Sequence, residues 1–396
     1  MTTPSAGSAP GTEPTYLDAN ATEPLRPAAG AAMLDAARLV GNPSSVHGAG
    51  RAARAMLENA RSTVARRLGV EALNCVFTSG GTEANVLAMH GLGGGRRFLI
   101  GRTEHDAVRK GVPPTAAGPI EWLEVGADGQ VRLDLLEQSL ARRDAAPAFV
   151  CLMLANNETG VLHPMAEVAR LCTHYGAHLH VDAVQGAGRF DISVREQGFG
   201  SVACSGHKMG GPKGAGALLL GGPAPTRLDP IFEGGGQEQG RRGGTQALPA
   251  IAGLAAALEE GLDNPRDLAP LRDRLEHAAV QAGAVVCGAG AARLANTSCL
   301  ALPGRRAQGQ LMRLDLDGLC VSAGSACSSG KVAFSHVLDA MGLGPLAGQA
   351  VRVSLPWNVT AAGVERFMAA YTAMAAATRE TAEPMAGNVP AGVVRA

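Results

Sequence analysis

Residues 202–220 read VACSGHKMGGPKGAGALLL. Two apolar runs bracket a turn of mostly small residues, and Lys208 stands just after the first run. The chain holds only four lysines, Lys110, Lys208, Lys213 and Lys331, so few residues are available for amine chemistry. A lysine that bonds to a carbonyl cofactor must approach it closely, and small neighbours permit that. Taken alone, Lys208 reads as a solvated loop lysine, the ordinary setting of that side chain. Three stretches upstream change the reading.

TSGGTEAN at 78–85 is a strand end, a glycine turn and a helix start. Its backbone N–H groups and the Thr82 hydroxyl suit a phosphate at the positive end of a helix, although Thr82 also suits an ordinary N-cap. LHVDAVQGAG at 179–188 ends an apolar strand in Asp182. An acid at the carboxyl edge of a parallel sheet lies where ligands bind, and there it keeps a pyridine nitrogen protonated. The competing reading is a helix N-cap. GRTEHDAV at 101–108 carries His105, whose flat ring can stack on a cofactor and move protons, or can be merely structural. As a set, a phosphate cradle, a stacking ring, an acid and a lysine point to pyridoxal phosphate.

Working outward, a helix starts at Pro27 in PAAGAAMLDAARLV and a longer amphipathic one follows in HGAGRAARAMLENARSTVARRLG. Strands are expected near 74–78, 97–101, 120–125, 148–154, 178–182, 200–204 and 216–220, with helices between most of them. That alternation predicts an α/β fold with a mostly parallel sheet covered on both faces. Beyond residue 245 two helices, near 247–263 and 266–282, lead into a smaller α+β region. The expected organisation is a large domain over 16–262 and a small C-terminal domain over 263–380, with the N-terminal segment packing against the latter. Residues 1–15 and 381–396 read as disordered tails. EGGGQEQGRRGGT at 233–245 reads as a functional loop because charged residues punctuate it.

Composition narrows the function classes. Of 396 residues, 46% are apolar and 18% charged, which suits a sizeable core. Lys plus Arg equal Asp plus Glu at 35 each, so no basic field points to nucleic acid or an acidic membrane. No apolar stretch is long enough for a membrane span, and the N-terminus has no secretory pattern. The eight cysteines form no CxxC pair, so neither a disulfide framework nor a metal site is expected, and a cytoplasmic setting follows.

Cys75, Cys151, Cys172, Cys204, Cys299 and Cys320 lie in or beside apolar segments, and Cys287 has no activating neighbour in VVCGAG. Cys327 differs. It sits in SAGSACSSGKVAFSH, among small residues that make a mobile loop, with Lys331 and His336 nearby to favour a thiolate. Without other information it reads as either a nucleophile or an idle thiol. Arg352 interrupts the apolar run VRVSL and is a natural bidentate partner for a carboxylate, or else an edge-strand arginine in an ion pair.

From YLDANAT at 16–22 to VRVSL at 351–355, the chain resembles the cysteine desulfurases of the class V aminotransferase group. The landmarks are GNPSSVHGAGR, TSGGTEANVLA, TEHDAV, NNETGVLHP, HVDAVQ, SGHKMGGPKGAGAL, GGGQEQGRRGGT and SAGSACSSG. The resemblance implies a fold-type-I pyridoxal-phosphate transferase, with a seven-stranded, mainly parallel sheet in the large domain and active sites near the boundary of a homodimer. It assigns Lys208 as the Schiff-base lysine, His105 as the stacking ring and Asp182 as the acid at the pyridine nitrogen. Gln185 matches the residue at the phenolic oxygen. Gly81, Thr82, Ser205 and His207 fall on the phosphate side, and Thr245 matches the residue reaching in from the partner subunit. Asn157 matches a residue beside ring and substrate, and Arg352 the substrate carboxylate clamp.

SAGSACSSG is similar to the catalytic loop of the longer-loop group rather than to the RxGHHC form, which implies Cys327 as the persulfide carrier. The implied reaction converts L-cysteine to L-alanine and passes sulfur to an acceptor protein, an iron–sulfur scaffold or a tRNA-thiolation relay. Selenocysteine lyase, another class V activity and a non-catalytic subunit on the same scaffold are the alternatives. Two positions depart from the family pattern: Gly243 stands where Ser is usual, removing one hydroxyl from the phosphate side, and Ala19 stands where Asn is common.

Overall fold

The structure, a computed structural model, describes residues 13–142, 146–263, 267–324 and 334–382. Its strands are β1 (Thr15–Tyr16), β2 (Cys75–Thr78), β3 (Arg97–Gly101), β4 (Glu121–Leu123), β5 (Ala148–Met153), β6 (His178–Asp182), β7 (Ser201–Ser205), β8 (Gly216–Leu220), β9 (Val285–Val286), β10 (Thr297–Ala301), β11 (Leu319–Cys320) and β12 (Ala350–Ser354). Seven of them form one sheet in the order β2-β8-β7-β6-β5-β3-β4. Only β8 runs against its neighbours, so β2 and β7 point the same way as the parallel strands.

Alternation along these strands explains the two covered faces. Leu99, Val150, Leu152, Leu179 and Val181 enter one apolar cluster, together with the helices Gly48–Arg67 and Leu248–Asp263. Their neighbours Phe98, Ile100, Phe149 and Cys151 enter another on the opposite face. Successive side chains of a strand point to opposite faces, so a strand buried on both sides must be apolar throughout. β3 and β5 are buried along their whole length.

The second unit centres on the antiparallel sheet β12-β10-β9, packed against the helices Ala269–Gln281 and Ala361–Ala382. Its apolar cluster includes Leu17 from the other end of the chain. Thr15 and Tyr16 pair with Leu319 and Cys320, and Asp18 bridges to Ser354. The expected tail over 1–15 therefore ends before Thr15, whose N–H donates to the Gly318 carbonyl at 2.8 Å. Likewise the last helix runs to Ala382, into the segment expected as a C-terminal tail. Among the described residues no helix is long and apolar enough to cross a membrane.

Candidate active site

Strands β2, β3, β5, β6 and β7 all deliver their C-terminal ends to one edge of the sheet. A cleft of about 290 Å³ opens there, lined by Thr82, His105, Asn157, Asp182, Lys208 and Arg352 among others. Gly81, Gln185, Ser205 and His207 also face it, so the sequence reading and the fold converge on one place. Thr245 does not: it is exposed, outside this cleft. Cys327 and Lys331 lie outside the described residues.

At the start of the helix Gly81–Leu92 the N-cap is Gly80, so Thr82 is not the cap and its side chain lines the cleft. A Cβ on Gly81 would meet Val184 Cγ2 at 2.5 Å, which is why the turn needs glycine there. Ser205 Oγ is buried with no hydrogen-bond partner and lies 3.8 Å from where a Cβ on Gly80 would sit. His207 Nδ1 pairs with Thr22 Oγ1 at 2.9 Å, and burial, then the charges of Lys208 and Lys213, push its pKa down to about 4.

Lys208 ends a short 3-10 turn after β7, and its Nζ donates to the Asn20 carbonyl oxygen at 2.6 Å. Gln185 Nε2 donates to the same oxygen at 3.0 Å, while its Oε1 accepts from Arg189 Nη1 at 2.9 Å. Asp182 Oδ1 accepts from the Val184 N–H at 2.9 Å and Oδ2 from Asn85 Nδ2 at 2.8 Å. Burial raises the Asp182 pKa, opposed by the Val184 and Asn85 hydrogen bonds and by the charges of His105 and Lys208. His105 Nδ1 accepts the Ala107 N–H at 3.1 Å, which orients the ring at the start of its short helix.

Arg352 is buried; its Nη1 donates to the Asn157 carbonyl at 3.0 Å and its Nη2 pairs with Asp18 Oδ1 at 2.6 Å. Its Nε is buried without a partner, so the guanidinium retains donor capacity. Ser322 and Arg352 exchange both backbone hydrogen bonds, at 3.1 and 2.6 Å, which fixes the chain just before residue 325 beside the cleft.

A family model described as Aminotransferase class-V matches residues 15–367. The chain belongs to the class-V aminotransferase family. Within that family its relatives are cysteine desulfurases. A protein from Mycobacterium tuberculosis named IscS-like cysteine desulfurase is 35% identical over 391 residues, covering 94% of this chain and 99% of the relative. A cysteine desulfurase from Cereibacter sphaeroides is 39% identical over 375 residues, covering 90% and 94%. Among solved structures, a NifS-like protein from Rickettsia africae matches with a TM-score of 0.83 at 32% identity, covering 91% of this chain and 99% of that one. This class-V enzyme is thus of the cysteine desulfurase type, with the fold-type-I architecture expected.

The cleft of this class-V enzyme fits pyridoxal phosphate. The orphaned Ser205 hydroxyl, the helix N-terminus at Gly81 and the neutral His207 make a donor-rich pocket for an anion. Asp182, at the end of β6, would supply the acceptor for a pyridine N–H, and Lys208 the amine.

Sequence reading missed Asn20 and Asp18, which act here through a backbone carbonyl and an ion pair, and Asn85, which holds Asp182. Asn85 had a signal: it follows Thr82 by three positions, so both share a helix face. The described cysteines are shielded from the cleft by burial, including Cys287, whose pKa the hydrogen bond with Cys299 lowers. All are buried except half-buried Cys320, and burial pushes Cys172 and Cys204 up to about 12.

Proposed function

We propose that the enzyme removes sulfur from L-cysteine, using pyridoxal phosphate bound at Lys208 and passing the sulfur to Cys327. The observation that carries this reading is the convergence of Lys208, Asp182, His105 and Arg352 on one cleft at the carboxyl edge of the sheet. When bound, the cofactor supplies an electron-poor ring that stores the electron pair left when a substrate Cα proton departs.

The protein's own groups then have distinct tasks. Gly81, Thr82, Ser205 and His207 hold the phosphate. Asp182 would keep the pyridine nitrogen protonated, Gln185 would serve the phenolic oxygen, His105 would stack on the ring, and Asn157 would serve ring and substrate. Arg352 binds the substrate carboxylate through the donors left over from Asp18 and Asn157. Lys208 Nζ accepts the Cα proton. The Cys327 thiolate attacks the substrate sulfur, so that an S–S bond forms as the C–S bond breaks and the carbon skeleton leaves as alanine.

Chain connectivity supports the last step. Cys327 follows Ser322 by five residues, a reach of at most about 18 Å from a residue bonded to Arg352. Exposed Thr245 suits a role in the partner protomer of a homodimer, reaching the phosphate there. The buried Arg61–Glu238 pair, 2.6 Å apart, braces the loop that carries it. The persulfide is handed to an acceptor protein, an iron–sulfur scaffold or a tRNA-thiolation relay, in the cytoplasm.

The test is sulfide and alanine release from L-cysteine with a reductant, by wild type and Cys327→Ala. The expected result is a retained yellow cofactor band and lost sulfide in the variant. Equal sulfide from both proteins would replace Cys327 as acceptor with a lyase acting directly on the substrate.

A further inference from the structure

From Asp182, polar side chains stand in single file, starting at Asn85 in the cleft wall and running back along the sheet. Asn85 Nδ2 reaches Asp182 Oδ2 at 2.8 Å, and Asn85 Oδ1 faces His180 Nε2 at 2.8 Å. His180 Nδ1 faces Ser201 Oγ at 2.8 Å, and the same hydroxyl faces His178 Nε2 at 2.9 Å. Asn85, His180 and Ser201 are buried, and the His178 ring stacks on Phe149 with centroids 4.7 Å apart. The strand pairing β6–β7 sets the file, because His180 lies opposite Ser201 in the register.

Proton positions along such a file are not independent. An ionised carboxylate only accepts, so Asn85 must turn its amide N–H toward Asp182 and its oxygen toward His180. His180 Nε2 must then carry the ring proton, Nδ1 must accept from Ser201, and Ser201 must accept from His178. Every donation runs toward Asp182, and such chains reinforce one another. A protonated Asp182 permits the opposite arrangement, with His180 protonated at Nδ1. The file thus has two self-consistent states, one for each charge on Asp182. Burial, then the charge of His178, pushes the His180 pKa down to about 3, so the ring is neutral in both.

A second acid lies nearby. Glu104 is fully buried; its Oε1 accepts the Met153 N–H at 2.7 Å and its Oε2 has no partner. Burial, then the charge of Asp182, raises its pKa well above the usual range, with Arg109 the opposing charge. Two neighbouring buried carboxyls do not both ionise cheaply, and the one with more donors keeps the charge. We propose that the Asn85–His180–Ser201–His178 file makes Asp182 the ionised member of this pair and Glu104 the protonated one. Asn85 and His180 are then positioning residues that act through Asp182 on whatever Asp182 holds. This inference rests on the reading of Asp182 as partner of the cofactor's pyridine nitrogen.

The test begins with 15N-histidine-labelled holoenzyme at pH 7, in which long-range 1H–15N spectra report the His180 tautomer. Protonation at Nε2 is expected, and protonation at Nδ1 overturns the proposal. The second arm compares His180→Gln, whose amide can donate to Asn85 and accept from Ser201, with His180→Phe, which keeps volume but does neither. Both should bind pyridoxal phosphate stoichiometrically. His180→Gln should stay within about threefold of wild-type kcat, whereas His180→Phe should fall about 10–100-fold, as loss of outer partners does at other sites, with KM changed less. The pH midpoint of the cofactor band should move in His180→Phe alone.

Identical kcat and band midpoints in the two variants would overturn the inference. Should His180→Phe not fold, Ser201→Ala removes the hydroxyl between the two rings: a displaced band midpoint supports the file, and an unmoved one overturns it. If purified wild type bound no pyridoxal phosphate, the cofactor reading would fail, and the tautomer in that same protein would still decide the direction of the file.

Discussion

Lys208 Nζ and the Asn20 carbonyl oxygen lie 2.6 Å apart, joining residues separated by 188 positions. Asn20 is itself fixed from the small sheet, through its N–H to Ser354 Oγ at 3.0 Å and its Nδ2 to Thr297 Oγ1 at 2.9 Å. The amine is therefore positioned by a chain segment anchored in the other half of the molecule.

Asn20→Ala leaves the carbonyl but removes the side-chain anchors. Thr297 and Arg189 each lose one hydrogen bond but keep others, to Asn296 and Gln185, so stability should fall by about 0.5–1.5 kcal/mol. Urea denaturation measures the loss, and dialysis should show faster release of pyridoxal phosphate than from wild type. Unchanged values on both counts would mean that Asn20 does not place the lysine.

Arg352→Lys keeps the charge and loses the planar fork. A charged hydrogen bond contributes about 1.5–3 kcal/mol, so KM for L-cysteine should rise about 10–100-fold, with the cofactor band retained. Steady-state kinetics decide it: a KM that stays put removes Arg352 as the carboxylate clamp.

Limited alkylation at pH 8, mapped by mass spectrometry, should label Cys327 before any buried thiol. Thiols held near pH 12, as Cys172 and Cys204 are, expose roughly one thiolate in 10⁴ at that pH, and their burial blocks the reagent as well. Early labelling of Cys172 or Cys204 would contradict the described packing.

Mild acid should act on the fold through two buried imidazoles, with the raised carboxyls Glu104 and Asp182 working the other way. Burial depresses His163 to about 4 and His180 to about 3, and both side chains are buried. Groups depressed in the folded state stabilise it above their unfolded pKa, near 6.5, and lose that contribution as pH falls toward the folded value. At pH 5.5 each should have forfeited about 1 kcal/mol. Between pH 7.5 and 5.5 the urea midpoint of wild type should therefore fall further, relative to its value at pH 7.5, than that of a folded His163→Gln variant.

The parts of this molecule legible in sequence are those written in local pattern. The apolar runs that became β3, β5 and β6 stand out because both their faces are buried, and the cofactor residues stand out because each follows such a run. Asn20 could not be read this way: its contact to Lys208 uses a backbone oxygen that every residue has. Arg352 was legible as a residue of the cleft, but its pairing with Asp18 across 334 positions was not, since ion pairs between distant segments leave no periodic trace. His180 was hidden for another reason. Inside an apolar strand it looks like one core residue among several, and only the register against Ser201 reveals its role.

The stitching of Asp18 and Asn20 to Ser354 also sets a clock. Asn20 and Ser354 are 334 residues apart, so at about 5–20 residues per second an early-made Asn20 waits roughly 20–70 s for its anchor to be synthesised. Until then the oxygen that receives Lys208 has nowhere to dock. The nascent chain can build most of its large sheet in that interval, yet the wall of the cleft beside Lys208 stays unfinished until Ser354 has been made.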